Sequence, residues 1–156
     1  MNYPWDVCLA PFRLSAGLKA MNLIITMSSA ALSPNYVLLN GKTRLAPAVL
    51  PLRSGKLCSS LYGFSDKAPY DLFRGNSILP LTPFPLVKVY LRTLLEASPE
   101  NLQLVILDAA GPAESTLRAA TMLTVLEAQI AQSTSLLAEY TLTFDNNANG
   151  YRVDEV

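Results

Sequence analysis

At 156 residues the chain has the length of one ordinary domain and enough material to bury a core. About half of its residues (51%) are hydrophobic and 15% are charged, which excludes disorder and leaves little polar surface for a lone monomer, so a homo-oligomer is expected. Net charge is zero, yet residues 1–78 hold eight Lys/Arg against three Asp, and residues 79–156 hold four against nine acids, an asymmetry suited to head-to-tail contacts or to an anion at one end.

Residues 1–12 are irregular around Pro4 and Pro11, with Tyr3, Trp5 and Phe12 available to cover a core. Cys8 and Cys58 lie far apart without CxxC spacing, so they read as buried thiols in a reducing compartment rather than a disulfide framework or zinc site. The apolar part of "AMNLIITMSSAAL" is too short and too late for a secretory signal, and no run reaches the length of a membrane span. Residues 14–32 read as a helix rich in Ala, Leu and Met, ended by Pro34.

Asn40-Gly41, between "YVLL" and "KTRL", predicts a hairpin, since a two-residue type I′ turn needs positive φ at both centre positions. The Gly41-Lys42-Thr43 triplet is not a phosphate loop. Such a loop needs a second glycine where Tyr36 stands and a helix where Pro47 and Pro51 follow. "RSGK" at 53–56 predicts a second turn.

Residues 65–85 read as a long connection whose four prolines exclude a long helix. Residues 86–97 predict a helix with Leu86, Val87, Tyr90, Leu91, Leu94 and Leu95 on one face and Lys88, Arg92 and Glu96 on the other. "LQLVIL" (102–107) predicts a buried strand. Pro112 suits a helix start, and residues 113–138 read as the longest helix, with a seam of Leu123, Leu126, Ile130 and Leu137 widened by Leu117, Met122 and Val125. "YTLTF" (140–144) predicts a short strand. The fold class expected is mainly α or α+β: an antiparallel helical bundle with a small β element, in a single domain over 1–156 with a mobile polar tail from about 145.

The chain has no histidine, which removes the commonest general base and the commonest zinc ligand. The acids show no metal-like spacing. Asp108, after the 102–107 strand, stands where enzymes place a catalytic acid, but a turn cap before Gly111-Pro112 is the favoured reading. A non-enzyme is expected, with no cofactor, no metal, no membrane and no small-molecule substrate. The cations Lys42, Arg44, Arg53, Lys56, Lys67 and Arg74 interleave with Tyr62, Phe64, Tyr70 and Phe73. That mixture suits single-stranded nucleic acid, where bases stack on rings and phosphates meet cations, but core aromatics beneath surface charges are the favoured reading.

Three segments, "FRLSAGLKAMNLIITMSSAALSPNY", "LVKVYLRTLLEASPENLQLVIL" and "GPAESTLRAATMLTVLEAQIAQSTSLLAEY", resemble in order and pattern the first, third and long Pro-led helices of tobamovirus-type coat proteins of rod-shaped plant viruses. The resemblance covers about half of the chain, and the "MNY" start and the absence of histidine are similar too. It departs where that family carries arginines after its third helix (Asn101 and Gln103 here) and paired arginines and aspartates in its long helix (Thr121, Met122, Thr124 and Val125 here). It implies an antiparallel four-helix bundle with a small distal sheet, subunits packed into a helical rod, and single-stranded RNA in a groove between turns. Arg118, with Lys42 and Arg44, would then bind the nucleic acid. The function expected is a self-assembling structural subunit of a virion, or alternatively a small cytoplasmic adaptor or chaperone gripping a protein partner through an apolar groove.

Overall fold

The computed structural model describes residues 30–156. The chain divides into two compact units after Ala30, and the fold set out below is that of the second, Ala31–Val156. The aromatic segment 1–12, Cys8 and nearly all of the helix expected over 14–32 lie outside the described residues; the last three positions of that helix, Ala30–Leu32, are a strand, β1.

β2 (Tyr36–Asn40), β3 (Thr43–Arg44) and β4 (Cys58–Gly63) come next, then α1 (Lys67–Gly75), β5 (Leu81–Pro85), α2 (Lys88–Ala97) and β6 (Leu102–Leu107). β7 (Thr116–Thr121), α3 (Met122–Ile130), β8 (Ser135–Leu137), β9 (Tyr140–Asp145) and β10 (Gly150–Glu155) complete the order. The dominant feature is a five-stranded curled sheet in the order β10-β9-β7-β6-β4, antiparallel except for the parallel pair β6–β4. A three-stranded sheet, β3-β2-β5, and the pair β1–β8 accompany it.

This is an α+β domain with three short helices among the described residues, and it corrects the expected helical bundle with a minor β element. The coat-protein reading is corrected with it: a curled sheet carrying short helices does not match a helical subunit that wraps RNA.

Both faces of the curled sheet are buried at β6, which is why that strand is a near-continuous apolar run. Leu104 and Ile106 enter one core with Tyr62, Phe64, Phe73, Leu117, Leu142 and Tyr151. Val105 and Leu107 face the other core, with Leu91, Met122, Val125 and Leu126 from α2 and α3. Each of these fully buried aliphatic side chains contributes roughly 1.5–3 kcal/mol relative to exposure. The segment 45–50 bridges the two sheet edges. The Tyr62 N–H of β4 donates to the Leu45 carbonyl (3.1 Å), while Tyr151 of β10 donates to Ala48 and accepts from Leu50, both at 2.9 Å.

The local signals fare differently. A hairpin does join β2 and β3, but its centre is Gly41-Lys42, one residue later than Asn40-Gly41, and only Gly41 has positive φ (+69°). That is the sign pattern of a type II′ turn, which needs glycine at the first centre alone. The 53–56 turn forms around Gly55 at φ +88°. The helix at 86–97 is α2, and the strands at 102–107 and 140–144 are β6 and β9.

Two expectations fail. The helix expected over 113–138 is instead β7, α3 and β8. Thr121 Oγ1 accepts from the Thr124 N–H (3.1 Å) to start α3, and Gln132 ends it in the left-handed region at φ 56°. The Ser133 and Gln132 N–H groups return to the Ala128 and Gln129 carbonyls, a Schellman ending with glutamine in glycine's usual place. Three of the four seam residues, Leu123, Ile130 and Leu137, are at least half exposed, whereas the widening residues Leu117, Met122 and Val125 are buried.

The connection 65–85 contains α1 and β5. Pro69 is tolerated in the first turn of α1, where its missing N–H is one of the orphan donors. Pro83 and Pro85 are tolerated because β5 is an edge strand pairing with β2 alone. The polar stretch after 145 is a turn and then β10, paired with β9 along its whole length.

Candidate functional site

Lys42 is exposed at the hairpin turn. Arg44, on β3 of the same hairpin, lays its guanidinium over the Tyr90 ring of α2, 3.5 Å from the centroid, with Phe84 at 5.7 Å. Arg44 thereby ties the hairpin to α2 through a cation–π contact. Arg118 belongs to β7 of the curled sheet, opposite Thr141 of β9. Two of the three nucleic-acid candidates thus share a hairpin and the third lies on a different sheet.

Asp108 ends β6 at φ 47°. Its two carboxylate oxygens accept from the Ser65 N–H and the Ser65 hydroxyl, each at 2.7 Å. It ties together the C-terminal ends of the parallel strands β4 and β6. The turn after it is held separately, by Glu114 accepting from the Ala110 N–H at 2.7 Å. Among the described residues no group of three or more Cys, Asp or Glu side chains could hold a metal ion, and no helix is long and apolar enough to cross a membrane.

A cleft of about 740 Å³ opens beside those strand ends. Four places in the chain build it: Leu32, Ser33 and Asn35 at the end of β1; Ser65 and Asp66 after β4; Leu86 to Val89 at the entry to α2; and Ala128, Gln129 and Gln132 to Thr134 at the exit from α3. Backbone bonds hold these walls in place. The Ser33 N–H donates to the Thr134 carbonyl (3.0 Å), the Asn35 N–H to Phe64 (2.8 Å) and the Leu86 N–H to Asn35 (2.9 Å). Asn35 Nδ2 donates to the Ser65 carbonyl (3.0 Å), and Gln129 Nε2 to the Leu86 carbonyl (2.8 Å). Gly63 allows the close approach, because a Cβ there would stand 2.5 Å from Val105 Cγ1 and 2.9 Å from Pro34 Cβ.

Leu32, Leu86, Val87, Val89 and Ala128 make much of the lining apolar. Two polar atoms of its lining residues, the Ser33 hydroxyl and Gln129 Oε1, are buried away from the open cleft and have no hydrogen-bond partner. A buried polar group left unpaired costs roughly 1–3 kcal/mol, so such atoms call for an explanation. The charges in the lining are Lys88 and Asp66, and Asp66 accepts from the Lys67 N–H (2.8 Å) at the head of α1.

Sequence reasoning passed over Ser33 and Gln129 because nothing local distinguishes them, a serine after an apolar run and a glutamine in an expected helix being ordinary, and it placed Val87 on the apolar face of a helix rather than at a cleft. The proline-bounded segment around Leu86 was the one legible signal, since a helix entered without a Ser, Thr, Asp or Asn cap leaves its first donors free. Compared with known proteins, the chain matches no family model, no curated protein and no solved structure.

Proposed function

We propose that the chain is a non-catalytic binding domain whose cleft between β1, α1, α2 and α3 takes a small amphipathic molecule. The observation that carries this reading is a cleft of about 740 Å³ whose lining is largely apolar, with Asn35, Ser65, Asp66 and Lys88 among its polar groups. Ligand pockets typically occupy about 300–1,000 Å³ and combine an apolar wall with a few placed polar groups. The position supports it as well, since the C-terminal ends of parallel strands are where open α/β sheets place ligands. Catalysis is not part of the reading: both Asp108 oxygens are engaged by Ser65, so the one serine–acid pair at the cleft edge is occupied in joining strand ends.

Isothermal titration with octan-1-ol, octanoate and octylamine tests it. At least one of these saturates the protein at a single site, and Val89→Trp, which narrows the cleft from an exposed position on α2, weakens the binding. If none of the three binds, or if Val89→Trp binds as the parent does, the reading is wrong.

A further inference from the structure

The chain contains two Asn-Gly steps, Asn40-Gly41 and Asn149-Gly150. An asparagine followed by glycine is the step most open to cyclisation, because no side chain on the second residue shields its amide nitrogen from the asparagine Cγ. The sequence ranks the two steps equally, and the structure separates them. Asn40-Gly41 sits at the tip of the β2–β3 hairpin. Asn40 is exposed, a Cβ on Gly41 would have nothing within 4 Å, and the Gly41 N–H has no hydrogen-bond partner among the described residues. The hairpin closes on a partner strand of two residues, Thr43 and Arg44, so its tip opens at little cost. Gly150 is buried instead, and a Cβ on it would meet Leu50 Cδ2 at 2.9 Å and the Ala48 carbonyl oxygen at 3.3 Å. Tyr151 turns its N–H and carbonyl outward to Ala48 and Leu50, so strand alternation turns those of Gly150 inward, onto Asp145 of β9.

From this contrast we infer that Asn40 is a site of spontaneous modification, converted by water to aspartate and isoaspartate, while the fold holds Asn149 against the same reaction. The Gly41 nitrogen gives its proton to hydroxide and attacks Asn40 Cγ. A nitrogen–carbon bond forms, and the side-chain amide leaves as ammonia. Water then opens the cyclic imide at either carbonyl, giving aspartate where it adds at Cγ and isoaspartate where it adds at the main-chain carbon. Either product puts a carboxylate in place of a neutral amide on the hairpin that carries Lys42 and Arg44. Isoaspartate also routes the main chain through the side chain and lengthens β2 by a carbon. Asn40 lies opposite Thr43 of β3 and Leu81 of β5, so a lengthened backbone cannot keep both registers. The hairpin is also the element that Arg44 ties to Tyr90 of α2, which places the modification at a joint between the small sheet and a helix.

The test incubates the full-length protein in mildly alkaline buffer, once native and once unfolded in guanidinium chloride, and follows both steps by peptide mapping with mass spectrometry. In the native protein Asn40 should convert at least ~10-fold faster than Asn149; in the unfolded chain the two rates should agree within about 3-fold, because only the fold distinguishes them. Enzymatic methylation specific for isoaspartate should label the Asn40 peptide of the native sample, and anion exchange should resolve the modified protein by its added negative charge. Asn40→Gln keeps an amide at the hairpin tip and should remove the fast conversion while leaving the Asn149 rate as it was. Equal native rates at the two steps would overturn the inference. So would a native Asn40 that stays intact over a period in which the unfolded chain converts.

Discussion

Gly63→Ala places a methyl group where the curled sheet meets the cleft wall. The new Cβ would stand 2.5 Å from Val105 Cγ1 and 2.9 Å from Pro34 Cβ, against an ordinary contact of 3.4–4 Å. Val105 is fully buried and Pro34 belongs to the fully buried set, so neither can swing into solvent. Relief requires a shift of about 1 Å in a close-packed core, and the cost belongs at the upper end of the overpacking range, about 3 kcal/mol. Val105→Ala alone should cost about 2 kcal/mol through lost burial and a cavity. In the double variant the added methyl fills space that Val105 vacates, so its cost should fall short of the summed singles by at least ~1 kcal/mol. Pro34 lies between Ser33 and Asn35, so Gly63→Ala should also weaken ligand binding in the cleft. Urea unfolding of the three variants measures the cycle. An additive cycle, or a Gly63→Ala cost below ~1 kcal/mol, would refute the claim that this glycine is required for the close approach.

Gln103, 6% exposed on β6, donates from Nε2 to the Leu94 and Ser98 carbonyls at the end of α2, so Gln103→Leu should lower stability by about 2 kcal/mol in urea; an unchanged midpoint would show that those carbonyls find other partners. Gln132→Gly should raise stability by about 0.5–1 kcal/mol, because glycine adopts the left-handed Schellman position without strain; a loss would mean the glutamine side chain contributes more than its backbone costs. Arg44→Met keeps an apolar stem and removes the guanidinium over Tyr90, and it should cost about 1 kcal/mol by thermal or urea unfolding; no change would show that the stack contributes nothing. Burial pushes the Cys58 thiol up to about 11 from 9.0. A folded value raised above the unfolded one gives stability that is present below about 9 and lost as pH rises towards 11. In a Cys8→Ser background, alkylation of Cys58 at pH 8 should accordingly run about two orders of magnitude slower than that of the unfolded chain; equal rates would contradict the burial.

What the sequence determined by itself was the set of features whose causes are local. Glycine's freedom at positive φ marks the turns at Gly41 and Gly55, although the hairpin centre moved by one residue once β2 and β3 paired Asn40 with Thr43. The apolar face and proline-bounded entry mark α2, and the unbroken apolar run of "LQLVIL" marks β6. Asp108 was visible as an acid at a strand end, but its partner Ser65, 43 positions earlier, was not. The tertiary structure alone decided the residues between 113 and 138. Their Ala and Leu content favours helix by weak local preference. In Thr116–Thr121 that preference yields to strand pairing with β6 and β9, where Leu117 and Ala119 enter the inner core. It likewise decided β10, a strand that forms where Val153 and Tyr151 can pack and Gly150–Glu155 can pair with β9. The cleft is the furthest from legible. Its four walls come from segments as far apart as residues 32 and 134, and each is an ordinary chain end until parallel pairing of β4 with β6 sets them side by side.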